Sequence, residues 1–175
     1  MRASKILLPT AIVLSILLLV LGAAWLFGPR TVVDTTVRFD ARVIGDDLDA
    51  YLETAEAKVA GIQPNQHKEI VWADPDAKSK TPVAIVYIHG FSASPDLIAA
   101  ELKANLFLTR LFGHGTTTRP MADVSVNAWV NDFAEAIAVG ERLGDKVVVM
   151  GTSTGGALTT WAIAQPAFSD RVDAV

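Results

Sequence analysis

The chain has 175 residues, a formal net charge of −4 and no cysteine. This length is enough for one domain of ordinary size, and the acidic balance without a long basic run argues against a nucleic-acid-binding surface. The lack of cysteine excludes disulfides, a thiol nucleophile and cysteine metal ligands. Any catalytic chemistry must therefore rest on other side chains.

The N-terminal segment is apolar and carries no charge over residues 6–27. As a helix it would extend about 33 Å, which is enough to cross the hydrocarbon core of a bilayer. Arg2 and Lys5 precede it, which favours a cytoplasmic N-terminus. We expect a single-pass membrane anchor with the following domain on the extracytoplasmic side. The alternative is a cleavable signal peptide and a secreted protein, since small residues at Gly22–Ala24 precede a cleavage position.

The region after this segment contains three weaker signals. Residues Thr31–Phe39 alternate weakly between apolar and polar, which predicts a strand. Residues 46–60 carry an apolar stripe at helical spacing, and Gly61 is expected to end that helix. A short strand is predicted at Glu69–Ala73.

The next apolar run, Val83–Ile88, is rich in β-branched residues. This pattern is typical of a strand buried on both faces of a parallel sheet. It ends at His89, Gly90 and Phe91, and a helix is predicted at Pro95–Leu102.

A second short strand is predicted at Asn105–Leu108, followed by a loop that contains Gly113, His114 and Gly115. Ser125 is a plausible N-cap for a helix that reaches Gly140.

The stretch from Val147 to Gln165 is predicted to form a strand, a sharp turn from Gly151 to Gly155, and a helix. A serine at such a hinge, with glycine two residues before and after it, has the pattern of a nucleophile elbow. The turn would hold Ser153 in a strained backbone conformation, and the glycines would let neighbouring chain approach closely. The pentapeptide alone occurs by chance in many loops, so the surrounding strand and helix carry the interpretation.

Strands that alternate with helices predict a parallel sheet with helices on both faces. Ligands of such sheets bind at the carboxyl ends of the strands. The loops at 89–91 and 113–115 and Ser153 all follow predicted strand ends, so we expect them to converge on one edge of the sheet.

In these three motifs the chain resembles an α/β-hydrolase of the single-domain esterase and lysophospholipase kind. The resemblance covers roughly residues 70–170 and matches the first half of that family. Together with the apolar run, it divides the chain into an N-terminal signal anchor or signal peptide at 1–29, a membrane-proximal lead-in segment at 30–69, and the N-terminal part of a hydrolase domain at 70–175. The motifs together are specific for the fold but poorly specific for the substrate.

The resemblance implies roles for individual residues and no cofactor or metal. Ser153 would be the acyl-accepting nucleophile, and the backbone N–H groups of Phe91 and Thr154 would form the oxyanion hole. Such donors can contribute several kcal/mol to an acyl-transfer transition state. Five further residues would shape the site: His89, Gly90, His114, Gly151 and Gly155. We interpret the two histidines as structural, because the family order places the base after the nucleophile.

One departure from the family pattern is large. All three histidines precede Ser153, and the 22 residues after it contain none. Asp170 and Asp173 do follow it, but they lie where the next strand begins, at Arg171–Val175. We therefore expect a fold truncated after the elbow helix, and a chain that is inactive alone because serine needs a general base.

The leading hypothesis is a serine hydrolase that cleaves carboxylic esters, with lipid-derived esters among its candidate substrates. Its partners would be a small ester or lipid-like molecule and, through residues 6–27, the membrane. Two alternatives remain: a non-catalytic, membrane-anchored binding protein with the same fold, and a peptidase of that fold. The sequence indicates neither a nucleic-acid partner nor an oligomeric state.

Overall fold

The computed structural model describes residues 4–30, 33–90, 103–117 and 121–175. The chain divides into two compact units, residues 1–33 and 34–175. The first unit contains helix α1, Ser4–Phe27, so the predicted apolar helix is present. Its stretch Pro9–Phe27 has a mean hydropathy of 2.5 and none of it is buried. By length and composition this helix could cross a membrane, and a signal sequence has the same properties.

The C-terminal end of α1 has a cationic cap. Arg30 Nη2 donates a hydrogen bond to the carbonyl of Trp25 at 3.1 Å, and the guanidinium carbon lies 5.5 Å from the centre of the Trp25 ring. A positive charge here complements the helix dipole and the π face of the indole.

In its described residues, the second unit is a four-stranded sheet with three α-helices. In chain order the elements are a 3₁₀ turn Ala41–Val43, α2 Leu48–Glu56, β1 Glu69–Val71, β2 Thr81–Ile88, β3 Asn105–Leu108, α3 Val126–Leu143, β4 Gly144–Gly151 and α4 Thr154–Ile163. The strand order is β1-β3-β2-β4. Strand β2 is parallel to both β3 and β4, while β1 is antiparallel to β3 at one edge. The predicted mainly parallel α/β sheet is confirmed, with one antiparallel edge strand.

The main core lies on one face of the sheet. Strand β2 contributes Ala84, Val86 and Ile88 to it, and α2, α3 and α4 all pack side chains against this face. The alternate residues of β2, Ile85 and Tyr87, form a smaller apolar cluster with β3 on the opposite face, as the two-residue period of a strand requires. The helix predicted at 95–102 lies outside the described residues.

The strand predicted at Thr31–Phe39 is wrong in the part that the structure describes. The backbone N–H groups of Arg38 and Phe39 donate instead to Asn131 Oδ1 on α3, at 2.6 and 2.8 Å. Asn127, one turn earlier, donates to a carbonyl of the same segment at 2.9 Å. Side-chain amides of a helix thus replace the neighbouring strand that the alternation suggested.

The helix predicted at 46–60 is shorter than expected. Asp47 caps α2 by accepting the N–H of Ala50 at 3.0 Å, and the helix ends at Glu56. Gly61 lies beyond it with a φ of 74°, in the left-handed region that glycine adopts readily.

Candidate active site

Ser153 lies at the junction of β4 and α4 with φ 51° and ψ −114°. This conformation is rare for a residue with a side chain and is maintained by surrounding contacts. The N–H of Thr152 donates to the carbonyl of Ile88 at 3.1 Å, which ties the elbow to the end of β2. Ser153 makes no capping hydrogen bond with α4 and is exposed. Its hydroxyl is therefore available at the carboxyl edge of the sheet.

Three glycines allow the chain to approach the elbow this closely. A Cβ atom on Gly155 would lie 2.1 Å from the carbonyl oxygen of Ile88, and one on Gly151 would lie 2.8 Å from the carbonyl oxygen of Gly155. A Cβ atom on Gly90 would lie 3.1 Å from the Cβ of Ser153. The end of β2 therefore packs directly against the serine, as the convergence of the two motifs predicts.

The ring of His89 connects the loops that follow β2 and β3. Its Nε2 accepts the N–H of Leu111 at 2.9 Å, and its Nδ1 lies 2.7 Å from the carbonyl oxygen of Gly90. Since Nε2 accepts, the proton is on Nδ1 and is donated to that carbonyl. Burial lowers the pKa of His89, which keeps the ring neutral. With both nitrogens engaged, this histidine is placed to orient backbone rather than to take a proton from serine.

His114 packs beside His89 in the same buried region. The two imidazole rings meet edge to face with their centres 4.7 Å apart, and the indole of Trp129 lies 5.8 Å from His114. Burial also lowers the pKa of His114. The loop that carries His114 thus contributes an aromatic ring that packs between His89 and Trp129.

Helix α3 binds the loop after β3 through two side chains. The sequence analysis did not single them out for this role. Asp132 Oδ2 accepts the N–H of Phe112 at 2.6 Å, and Trp129 Nε1 donates to the carbonyl of Phe112 at 3.1 Å. Burial raises the pKa of Asp132 to about 6. The three-residue spacing of Trp129 and Asp132, which puts both on one helix face, is the signal that could have revealed them.

Two buried ion pairs flank the loop. Arg110 binds the carboxylate of Glu56 through Nε at 3.0 Å and Nη2 at 2.6 Å. Lys68 Nζ pairs with Glu135, whose other oxygen accepts the hydroxyl of Tyr51 at 2.7 Å. Burial and the neighbouring Glu135 raise the pKa of Tyr51. A cavity of about 140 Å³ opens among these groups, and its lining includes Glu56, Lys68, Arg110, Phe112 and Asp132.

The carboxylates that follow Ser153 do not reach it. Asp173 Oδ2 accepts the N–H of Val147 at 2.8 Å, and Val147 lies four residues before the end of β4, about 13 Å along the strand. The carboxylate of Asp170 is exposed and contacts only the neighbouring serine hydroxyl, at 3.4 Å, among the hydrogen bonds of the described residues. Ala174 forms an isolated parallel bridge with Val148, and no strand is formed at Arg171–Val175 beyond this one bridge.

The predicted oxyanion hole relies on two backbone donors. Thr154 is the first residue of α4, where N–H groups have no partner within the helix. Phe91 lies outside the described residues. Within the described ranges, no group of three or more His, Asp or Glu side chains is arranged to hold a metal ion.

The chain belongs to the alpha/beta hydrolase family, whose model matches residues 85–174. It is 30% identical over 102 residues to a thermostable monoacylglycerol lipase of Bacillus sp. (strain H-257), which covers 55% of this chain and 41% of that protein. It is also similar to a solved structure from work on LipS and LipT, two metagenome-derived lipolytic enzymes. That likeness has 26% identity and a TM-score of 0.49, and covers 63% of this chain and 44% of the other. The chain thus spans less than half the length of both relatives.

Proposed function

We propose that the protein is a serine hydrolase that cleaves carboxylic esters through an acyl-enzyme on Ser153. The observation that carries this proposal is the strained backbone of Ser153, which leaves the side chain exposed while Gly90 and Gly155 pack the elbow against β2. The relative from Bacillus sp. (strain H-257) is named a monoacylglycerol lipase, which favours a lipid-derived ester as the substrate.

The reaction would proceed in two acyl-transfer steps. Ser153 Oγ attacks the ester carbonyl and loses its proton to a general base, and the oxyanion is stabilised by the N–H of Thr154 and, from the family resemblance, that of Phe91. The alcohol leaves with the proton that the base returns to it. Water then attacks the acyl-enzyme by the same route and releases the carboxylic acid.

His89 is not proposed as the base. It is engaged at both ring nitrogens, and the family order places acid and histidine after the serine. In this proposal residues 70–175 supply the nucleophile and the oxyanion donors, after an N-terminal segment at 1–29 and a lead-in segment at 30–69.

A fluorophosphonate probe tests the nucleophile. The full-length protein is expected to be labelled, and Ser153→Ala to lose the label. Ser169→Ala is the matched control, since Ser169 is an exposed serine beyond α4. Equal labelling of wild type and Ser153→Ala would rule out the proposed nucleophile.

A second candidate, a non-catalytic lipid-binding protein, is favoured by the engagement of both nitrogens of His89. It predicts that wild type binds a long-chain monoacylglycerol ether, a non-hydrolysable ester analogue, without labelling by the probe.

A peptidase of the same fold is the other alternative. Turnover of a p-nitrophenyl ester or of a peptide anilide by the same preparation would separate an esterase from a peptidase.

A further inference from the structure

Three hydrogen bonds, joined through the backbone of Leu111 and Phe112, connect α3 with the backbone beside Ser153. It begins at the carboxylate of Asp132, which accepts the N–H of Phe112 at 2.6 Å. The preceding amide, Leu111 N–H, donates to His89 Nε2 at 2.9 Å. His89 Nδ1 in turn donates to the carbonyl of Gly90 at 2.7 Å. We call these five residues the Asp132–Gly90 network.

The network ends where the position of the backbone matters for catalysis. Gly90 lies so close to the elbow that a Cβ atom there would be 3.1 Å from the Cβ of Ser153 and from the carbonyl oxygen of Thr152. A hydrogen bond that fixes the Gly90 carbonyl therefore fixes backbone that packs directly against the nucleophile.

The other end of the network is firmly anchored on α3. Phe112 is bound through its N–H by Asp132 and through its carbonyl by Trp129 Nε1, at 3.1 Å. A carboxylate is a stronger acceptor for an amide than a neutral oxygen. The charged groups that influence Asp132 or line the same cavity are Lys68 before β1, Arg110 after β3, Glu135 on α3 and Glu56 on α2.

Burial disfavours the charged form of the Asp132 carboxylate. Lys68 and Arg110 each already bind a carboxylate, Glu135 and Glu56 respectively. They offset the burial of Asp132 only in part, and its pKa stays raised. What Asp132 provides to the loop is an oxygen that accepts the N–H of Phe112.

We propose that Asp132 is a positioning residue for the reaction at Ser153, acting through Phe112, Leu111 and His89 on the peptide group of Gly90. This inference rests on the proposed hydrolase function. It assigns no contact between Asp132 and the substrate.

Imidazole NMR of the full chain tests the network without requiring activity. The chain contains three histidines, so isotopic labelling of histidine gives only three ring systems to assign. In wild type at pH 7.5, His89 is expected to be a single Nδ1-protonated tautomer. Asp132→Ala removes the acceptor for Phe112 N–H and should let His89 exchange between tautomers. Asp132→Asn keeps an oxygen acceptor and should restore the wild-type signals.

The labelling rate of Ser153 by a fluorophosphonate, measured in the full-length protein, gives the second readout. Loss of one hydrogen bond in the network predicts a rate about tenfold lower for Asp132→Ala, with most of the rate restored in Asp132→Asn. Asp145→Ala is the matched control, because that carboxylate is 75% exposed at the start of β4. It should leave both readouts unchanged.

The outcomes separate the two proposals. Absence of labelling in wild type would refute the hydrolase, while the His89 tautomer would still decide whether the network operates. Unchanged His89 signals and an unchanged labelling rate in Asp132→Ala would overturn the inference. If Asp132→Ala does not fold, Asp132→Ser replaces it, since it also removes the carboxylate but keeps a polar side chain; unchanged signals and rate in that variant would overturn the inference equally.

Discussion

Gly155 and Gly156 are neighbours at the start of α4, yet a methyl group would meet very different surroundings at the two positions. On Gly155 it would lie 2.1 Å from the carbonyl oxygen of Ile88, which is backbone and cannot move aside. On Gly156 its nearest contact is 3.3 Å from the carbonyl oxygen of Gly151. The first contact requires β2 and α4 to separate, whereas the second requires a shift of a few tenths of an ångström.

We expect Gly155→Ala to destabilise the fold by about 3 kcal/mol or more and to abolish labelling of Ser153. Gly156→Ala should change stability by no more than about 1 kcal/mol, because alanine also favours the helix. Urea unfolding and probe labelling of the two variants check this. Similar losses in both would show that the close approach at the elbow is not what requires glycine.

Asp132 also predicts a pH dependence of stability. Burial raises the pKa of Asp132 from 3.8 to about 6 in the folded chain. The folded state therefore favours the protonated form, and the stability that this form provides is lost as the pH rises from about 4 through 6. Asp132→Asn is neutral throughout and cannot show this loss.

The free energy of unfolding of Asp132→Asn should therefore exceed that of wild type at pH 7 by about 1–2 kcal/mol, allowing for the partial exposure of the side chain. The gap should be smaller by that amount at pH 4. Urea titrations followed by tryptophan fluorescence at the two values measure it, with Asp145→Asn as the exposed control. A gap that is independent of pH would contradict the burial of Asp132.

Among individual residues, the sequence allowed prediction of those whose role depends on neighbours only a few positions away. Ser153 and its glycines were recognisable because the elbow is local. Asp132 was not, because its partner Phe112 lies twenty positions earlier and offers only its backbone. A backbone partner leaves no residue-type signal in the sequence.

Helices and strands were likewise predicted correctly where local residues determine them, and wrongly where distant residues do. The strand predicted at Asn105–Leu108 has those bounds in the structure, and the helix after Ser125 begins where its cap was predicted. The predicted strand at 31–39 failed because its backbone groups bind Asn127 and Asn131, more than 90 positions away. Strand periodicity reports which side chains face a core, but not what satisfies the backbone.

Strand β4 has two differently protected edges. Its inner edge pairs with β2 along most of its length, whereas its outer edge is held by Asp173 and Ala174 in the part of the chain that the structure describes. The N–H of Val147 donates to the Asp173 carboxylate at 2.8 Å. That amide should therefore depend on a single side chain.

We expect Asp173→Ala to speed hydrogen exchange at Val147 by about tenfold and to leave Val148, its neighbour in β4, nearly unchanged. Amide-resolved exchange measures both rates in one sample. Asp170→Ala is the control, since its carboxylate is exposed and bonds only to a neighbouring hydroxyl within the described region. Equal acceleration at both amides would mean that β4 opens as a whole instead.

For the whole molecule, the fold class and family could be predicted because three motifs fall at strand ends of one sheet. Whether α1 is a membrane anchor or a signal peptide could not be predicted in the same way. Helix α1 is apolar on all described sides, and both an anchor and a signal peptide need only that property together with a positive N-terminal flank. The two differ in whether a peptidase cleaves the chain, which leaves little physical trace in the helix itself.

Removal of residues 1–28 should convert a membrane-bound protein into one that no longer sediments with membranes, because α1 supplies the apolar span. Fractionation of the two forms measures this, and the mass of the mature protein distinguishes an intact anchor from cleavage before Trp25. Leu18→Lys, in the middle of α1, is a full-length variant that should weaken insertion. Recovery of the intact protein wholly in the cytosolic fraction would exclude both interpretations.

The contact between the elbow and β2 has a consequence for the order of assembly. The amide of Thr152 binds the carbonyl of Ile88, which was synthesised 64 positions earlier. Strand β2 lies between β3 and β4 and is parallel to both, so each pairing must close a long loop before it gains any hydrogen bonds. Such distant parallel pairings form slowly. A nascent chain therefore carries an ordinary, relaxed serine at position 153, which acquires its strained conformation only when β4 docks beside β2.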